Sequence, residues 1–255
     1  MDTLKSQSPE NLQDFRGKNV IIVGGAGGIG GCIVERILRL GGSVIATSRV
    51  SSPPRLELLR AEFPDFLRVI EIELEDEDSV QRGANTILQS QHQFDGLVLA
   101  AGTPHGNLLS LTKISELRRV FEVNFFSQFI LLQSLSRRMK SDSSCVVIGS
   151  SSAEYAQRGN TVYGSSKVAL RRITQGFATE LASRGVRVNV VSPGLVSTDM
   201  LSEMDPKVLQ SLQHRTLRGG PLDPDEVASV IVFLLGNSSR SISGEVLQLD
   251  AGFQN

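Results

Sequence analysis

The 255-residue chain has two tyrosines and no tryptophan. Both tyrosines, Tyr155 and Tyr163, fall in one stretch, VVIGSSSAEYAQRGNTVYGSSK at 146–167. Lys167 follows Tyr163 by four residues, and Ser150 precedes it by thirteen. A phenol with a pKa of about 10 is a poor base and a slow acid at neutral pH. At the start of a predicted helix Tyr163 and Lys167 share a face, and an adjacent ammonium favours the phenolate. Lowering the phenol by about three units corresponds to roughly 4 kcal/mol of differential stabilisation. Ser150, closing a predicted strand, is placed to bond a substrate oxygen while Tyr163 moves the proton. Tyr-x-x-x-Lys alone also arises in helices by chance, and a serine-rich loop that happens to hold a tyrosine is the plainer reading. The weight of the pair comes from what surrounds it.

A second candidate site lies near the beginning of the chain. The run NVIIV (19–23) leads directly into Gly24-Gly25-Ala26-Gly27-Gly28-Ile29-Gly30, and a helix-forming segment follows. Glycines at a strand–helix junction let the backbone turn tightly and approach a pyrophosphate, whose charge the helix N-terminus favours. The plainer alternative is a flexible turn. About twenty residues further on, a fold that prefers NAD usually offers an acid to the adenosine ribose. Here the second strand ends Ala46-Thr47-Ser48-Arg49, with no carboxylate before Glu57. Hydroxyls and an arginine suit a 2′-phosphate, so NADP (NADPH) is expected in preference to NAD. Otherwise Arg49 is a solvated loop cation.

These residues need a scaffold, and short β-branched runs alternate with helix-length segments throughout. Strands are predicted at 19–23, 43–47, 67–72, 95–100, 144–149, 186–191 and 245–249, several of them apolar on successive residues, as strands covered on both faces must be. Helices are predicted over Lys113–Met139, over Thr161–Arg184 with Gly185 as C-cap, and from Asp223, which caps a run opened by Pro224. The expected fold class is α/β: a Rossmann-type, doubly wound, mostly parallel seven-stranded sheet with helices on both faces. No linker or repeat divides it, so residues 15–255 are expected to form one dinucleotide-binding and catalytic domain behind a polar extension, 1–14.

Composition narrows the function classes. A net charge of −1 gives no electrostatic reason to expect nucleic acid or a membrane surface. The N-terminal residues have neither the apolar run of a signal peptide nor the basic character of a transit peptide, and no apolar run reaches membrane-spanning length. A cytoplasmic protein is expected. Cys32 and Cys145 sit apart in apolar surroundings and read as buried reduced thiols. His92, His105 and His214 make no metal-ligand spacing and read as surface residues.

Taken together, these residues resemble the short-chain dehydrogenase/reductase family, in its compact subgroup that includes the 3-oxoacyl-(acyl-carrier-protein) reductases. The resemblance covers nearly everything from Phe15 to Phe253. Its glycine motif falls on Gly24, Gly28 and Gly30. Its catalytic tetrad matches Asn124 in VNFF, Ser150 in IGSSS, and Tyr163 and Lys167 in YGSSK. By the same resemblance Pro193, Gly194, Val196 and Thr198, in RVNVVSPGLVSTDM, line the nicotinamide carboxamide. Glu73 and Leu74 lie near the adenine, and Ala101 and Gly102 follow strand four against the cofactor. Lys167 is implied to bind the ribose hydroxyls and Asn124 to hold a water of the proton relay. Two departures stand out: Val23 replaces a usual threonine, and Leu99-Ala100 replaces a usual pair of asparagines. Loss of both sides together implies an apolar replacement rather than one orphaned polar group.

The expectation is an NADP-dependent oxidoreductase acting on a small-molecule or acyl-thioester substrate, with a substrate lid between Thr198 and Pro221. Two alternatives stay open at this point. One is a dehydrogenase of a polyol, sugar or secondary metabolite; the other is a cofactor-binding sensor or scaffold without chemistry. The arginine pairs 118–119, 137–138 and 171–172 either dock an acidic carrier or are solvated helix faces. The apolar surplus at Val120, Phe121, Val123, Phe125, Phe126, Phe129, Ile130, Leu131 and Leu132 exceeds what one sheet face covers, which points to a homo-oligomer, a tetramer by family resemblance.

Overall fold

A computed structural model describes residues 13–50, 53–202 and 206–253. Residues 1–12 of the expected N-terminal extension and residues 203–205 of the expected lid lie outside that set. Strand β1, Asn19–Val23, is buried at four of its five positions. Its side chains alternate between two cores: Val20 and Ile22 pack on one face of the sheet, Ile21 and Val23 on the other. A strand covered on both faces has no polar side to show, which is why its sequence is an unbroken apolar run. Around it are β2 (Ser43–Ser48), β3 (Leu67–Glu71), β4 (Phe94–Leu99), β5 (Met139–Ile148), β6 (Arg187–Pro193) and β7 (Val246–Leu249).

The seven strands form one sheet in the order β3-β2-β1-β4-β5-β6-β7, and every strand pair is parallel. The chain reverses its direction of progress between β1 and β4. In a doubly wound sheet the crevice outside the carboxyl ends at such a point is where ligands bind. Helices α1 (Gly28–Arg39), α2 (Pro54–Glu62), α3 (Glu77–Ser90), α4 (Ile114–Phe121), α5 (Ser127–Ser136), α6 (Thr161–Leu181), α7 (Asp199–Ser202), α8 (Pro206–Gln213) and α9 (Pro224–Leu235) complete the fold. Residues of α1 and α9 fill one core, and residues of α3, α5 and α6 fill the other. The apolar replacement expected at Val23 and Leu99 is visible as a direct pair: the two residues are in register, and both are fully buried.

Two expected boundaries are corrected. The helix expected over Lys113–Met139 is interrupted by a π-helical segment, Glu122–Phe126, and ends at Ser136. The strand expected to begin at residue 144 begins at Met139. Met139 pairs with Phe94, the register then shifts, and Ser144 pairs with Gly96. Asp142, at φ 62°, takes up the irregularity. The apolar pattern of a buried helix and that of a buried strand are the same over a few residues, so periodicity does not separate them at Met139. Helix α6 ends at Leu181 and passes through a short 3-10 turn to Gly185, whose φ of 70° is the left-handed value expected of a helix-terminating glycine.

Among the described residues no helix is long and apolar enough to cross a membrane.

Candidate active site

The glycine segment turns where β1 meets α1. Gly24 has φ 82°, and a Cβ there would sit 2.8 Å from the backbone and side chain of Ala101, just past β4. A Cβ on Gly30 would collide with the Gly24 carbonyl oxygen. Each glycine is therefore required by a close backbone approach. The loop is tied to the end of β2, since Gly24 N donates to Thr47 Oγ1 at 3.0 Å and Gly25 N to Thr47 O at 2.9 Å. Thr47 thus supplies the polar anchor that Val23 lacks, a role that sequence reasoning missed. The polar run Thr47-Ser48-Arg49 was a visible signal of it. Helix α1 opens at Gly27 with no acidic residue in its first turn, which leaves its positive end open to an anion.

The other cofactor candidates arrive from several strand ends. Ser48 closes β2, is buried, and accepts a hydrogen bond from Val50 N at 3.3 Å, whereas Arg49 is exposed. Beyond β3, Glu73 is exposed and Leu74 buried, its carbonyl accepting from Ser127 Oγ at 2.6 Å. Pro193 ends β6, and Gly194 N donates to Leu249 O at 2.9 Å. Val196 is buried. Thr198 reaches the glycine loop: a Cβ on Gly28 would lie 2.6 Å from Thr198 Cγ2. Residues 170 positions apart in the chain therefore line one crevice beside the point where the strand order reverses.

The four tetrad candidates converge at the same edge. Ser150 stands two residues beyond β5 with extended backbone, and its hydroxyl accepts from Ser152 N at 3.1 Å. Tyr163 lies in the first turn of α6, with the Ser150 hydroxyl near enough to its phenol to influence it. Lys167 is almost wholly buried, and its ammonium donates to Ile148 O at 3.1 Å. The Lys167 Nζ lies 5.8 Å from the centre of the Tyr163 ring. Asn124 sits in the π-helical segment with no exposed surface. It clamps Thr103, accepting from Thr103 N at 2.8 Å and donating to Thr103 O at 3.0 Å, and it donates to Ser166 Oγ at 3.1 Å. Gly102 joins the two halves, since a Cβ there would lie 3.2 Å from Asn124 Oδ1 and 3.3 Å from Lys167 Nζ. π-Helical turns inside α-helices gather at functional sites, and this one places an amide where a regular helix would have run on.

Burial sets the electrostatics, and it corrects one expectation. The Tyr163 phenol is pushed above its ordinary value, chiefly by burial, with the Ser150 hydrogen bond acting in the opposite direction. The lowering expected from Lys167 is not met in the free protein. Burial holds that ammonium down to about 8, so both groups are driven toward their neutral forms. The histidine reading is corrected too. His92 and His214 are exposed, but His105 has a side chain only 9% exposed, near Glu116 at 3.8 Å. Neither of its ring nitrogens has a hydrogen-bond partner among the described residues. Cys32 is half-buried and Cys145 fully buried, both as free thiols, and burial pushes Cys145 up to about 12.

A family model described as enoyl-(acyl carrier protein) reductase matches residues 24–254. The chain belongs to the short-chain dehydrogenase/reductase family. It is an NAD(P)-dependent oxidoreductase that acts on CH–OH or carbonyl groups. Among members of this family it is 29% identical over 247 residues to the vibriobactin-specific 2,3-dihydro-2,3-dihydroxybenzoate dehydrogenase of Vibrio cholerae, covering 91% of this chain and 94% of that one. It is 30% identical over 243 residues to the 3-oxoacyl-(acyl-carrier-protein) reductase of Thermotoga maritima, covering 93% and 98%. A short-chain dehydrogenase from Burkholderia cenocepacia, solved in complex with NADP, superposes with a TM-score of 0.87 at 27% identity, covering 93% of this chain and 98% of that one. The residues present fit the family's nicotinamide dinucleotide. The glycine loop turns on close approaches at Gly24 and Gly30 that a side chain would block, and the first turn of α1 has no acid to repel a pyrophosphate.

Proposed function

We propose that this short-chain dehydrogenase/reductase is an NADP-dependent carbonyl reductase of the 3-oxoacyl-thioester type. One observation carries the reading: Lys167 and Asn124 meet across Gly102, at the carboxyl edge of the sheet where Ser150 follows β5 and Tyr163 opens α6. When bound, the cofactor supplies or accepts a hydride at its nicotinamide C4. The chain's own residues do the rest. Ser150 holds the substrate oxygen and stabilises charge developing on it. Tyr163 donates the proton in reduction and removes it in oxidation. Lys167 holds the ribose hydroxyls and stabilises phenolate character at Tyr163, and Asn124 extends the proton path. The amides at the start of α1 hold the pyrophosphate, and Gly24, Ile29 and Gly102 keep the backbone close to it. Pro193, Gly194, Val196 and Thr198 border the nicotinamide, Glu73 and Leu74 the adenine, and Ser48 and Arg49 the 2′-phosphate. The NADP held by the Burkholderia cenocepacia relative supports the choice of cofactor. The reading is tested by following NADPH oxidation against acetoacetyl thioesters, simple ketones, diketones and quinones. Turnover of a thioester supports it, and turnover confined to quinones or to sugars and polyols in the reverse direction replaces the substrate class.

The depressed Lys167 sets a pH signature. In the free protein its ammonium loses its proton near pH 8, well below the ordinary lysine value. A bound pyrophosphate and ribose favour the charged form and raise that value again, so binding between the two values must take up protons. At about pH 9, NADPH binding should therefore take up roughly half a proton or more per site, and little at about pH 6.5, where the lysine is charged in both states. Calorimetric titration in buffers of different ionisation enthalpy measures this directly. Uptake that is equally small at both pH values removes Lys167 from the ribose.

We further propose a cytoplasmic homotetramer. Phe125, Phe129, Ile173, Gly176 and Phe177 border one surface hollow between α5 and α6, with the Phe129 and Phe177 rings edge to face at 6.4 Å. Phe126 beside them is 48% exposed. A contiguous aromatic face of this kind supports burial against a second copy. Light scattering at micromolar concentration should report a mass above the monomer. Phe129→Asp, which places a charge in that face, should lower the mass, and a monomeric wild type overturns the proposal.

A further inference from the structure

Tyr155 lies five residues after Ser150 and eight before Tyr163, yet its described contacts lie elsewhere. Its ring packs on Phe253 instead, with centroids 5.1 Å apart and planes 33° from parallel. The Arg215 guanidinium lies over the same Phe253 ring, 4.7 Å from its centre. The Tyr155 hydroxyl donates to Asp250 Oδ2 at 3.5 Å.

The backbone is stitched around the same point. Thr216 and Phe253 form an antiparallel bridge, and Leu217 N donates to Gly252 O at 3.3 Å. Asp250 Oδ1 accepts from Gly252 N at 3.1 Å and Phe253 N at 3.3 Å, which turns the tail back on itself. Gly252 has φ 72°, and a Cβ there would lie 2.6 Å from Leu217 Cδ1. Asp250 in turn presses on Gly194, where a Cβ would lie 2.8 Å from Asp250 Cα. Four segments distant in sequence therefore meet at Asp250 and Phe253: the loop between Ser150 and Tyr163, the residues after β6, residues 215–217, and the tail at 250–253. The first two carry residues of the proposed site. The other two carry none.

We infer that Tyr155 is a positioning residue for the substrate side of the site, acting through the ring of Phe253 to hold residues 215–217 beside Ser150 and Tyr163. The ring, and not the hydroxyl, does this. The stack with Phe253 and the cation above it offers broad dispersion and quadrupole contact, whereas the hydroxyl bond to Asp250 is long. Loss of the ring frees residues 215–217 while the glycine loop and α1 keep their contacts. The inference uses the proposed function to name the substrate side; the stack itself is independent of it.

Hydrogen exchange and binding test the two separately. In Tyr155→Ala and in Phe253→Ala, the Leu217 amide should exchange about tenfold faster than in the wild-type protein, and Tyr155→Phe should match the wild type. NADPH affinity, read by fluorescence titration, should stay within about threefold in all three variants. With a substrate found by NADPH oxidation, KM in the two alanine variants should rise about tenfold while kcat changes by less than about threefold. Unchanged exchange in both alanine variants, a Tyr155→Phe variant as perturbed as Tyr155→Ala, or a parallel loss of NADPH affinity overturns the inference. Altered exchange with no substrate turned over refutes the reductase proposal and leaves the clasp standing; turnover with unchanged exchange does the reverse.

Discussion

Tyr163→Phe should lower turnover by about a hundredfold or more and leave NADPH affinity and the fold intact. The substitution removes one oxygen from a half-buried ring at the start of α6. The neighbouring Ser150 hydroxyl keeps its bond from Ser152 N at 3.1 Å. The main chain of Tyr163 is unaffected, since its carbonyl still accepts from Ser166 Oγ at 2.7 Å. A large effect is expected because, of the other two nearby candidates, Lys167 is turned to Ile148 O and the Asn124 side chain is engaged with Thr103 and Ser166. The measurement is kcat on a substrate established with the wild-type enzyme, alongside NADPH titration of the variant. Near-wild-type turnover would show that another group moves the proton.

The second large effect is on cofactor choice. Arg49 is exposed just beyond the end of β2, next to a serine whose hydroxyl already accepts from Val50 N. Charge-assisted bonds from Arg49 to a 2′-phosphate should contribute roughly 1.5–3 kcal/mol to NADPH binding and have no counterpart for NADH. Arg49→Ala should therefore weaken NADPH by about tenfold to a hundredfold and leave NADH nearly unchanged. Adding Ser48→Asp should go further, because a carboxylate accepts the free ribose hydroxyls of NADH and repels the phosphate. Gly27 offers no side chain to share the task, so the effect should concentrate on Arg49. Competitive titration of the wild type and both variants with the two reduced cofactors measures it. Equal or tighter binding of NADH by the wild type refutes the NADP assignment while leaving the reductase proposal in place.

Much of this arrangement was legible in the chain because its signals are local. The apolar run of β1, the glycines that follow it and the polar end of β2 are each signals carried by adjacent residues. Tyr163 and Lys167 are one helical turn apart, so their shared face follows from helix geometry alone. What escaped is non-local or depends on competition between patterns. The π-helical turn at Asn124 hides inside an apolar stretch that also satisfies an uninterrupted helix. The early start of β5 rests on Met139 meeting Phe94, 45 positions away in the chain. The burial of His105 depends on a loop path, and the stack of Tyr155 on Phe253 joins residues almost a hundred apart. The direction of the Tyr163 shift was missed for a related reason. Spacing shows that a lysine is close, but only the packed structure shows that burial dominates both groups, raising the phenol and lowering the ammonium.

The central claim is that this chain moves a hydride between NADPH and a carbonyl carbon with Tyr163 as the proton carrier. Its most direct test uses NADPH deuterated at the transferable C4 position, incubated with the wild-type enzyme and with Tyr163→Phe over the panel of thioesters, ketones, diketones and quinones, with mass analysis of the products. The account predicts a product alcohol carrying one deuterium on the former carbonyl carbon, formed by the wild type and suppressed by about a hundredfold in the variant although both proteins bind the cofactor equally. Tight NADPH binding by both proteins with no deuterium in any product, or equal incorporation by the two, would contradict it.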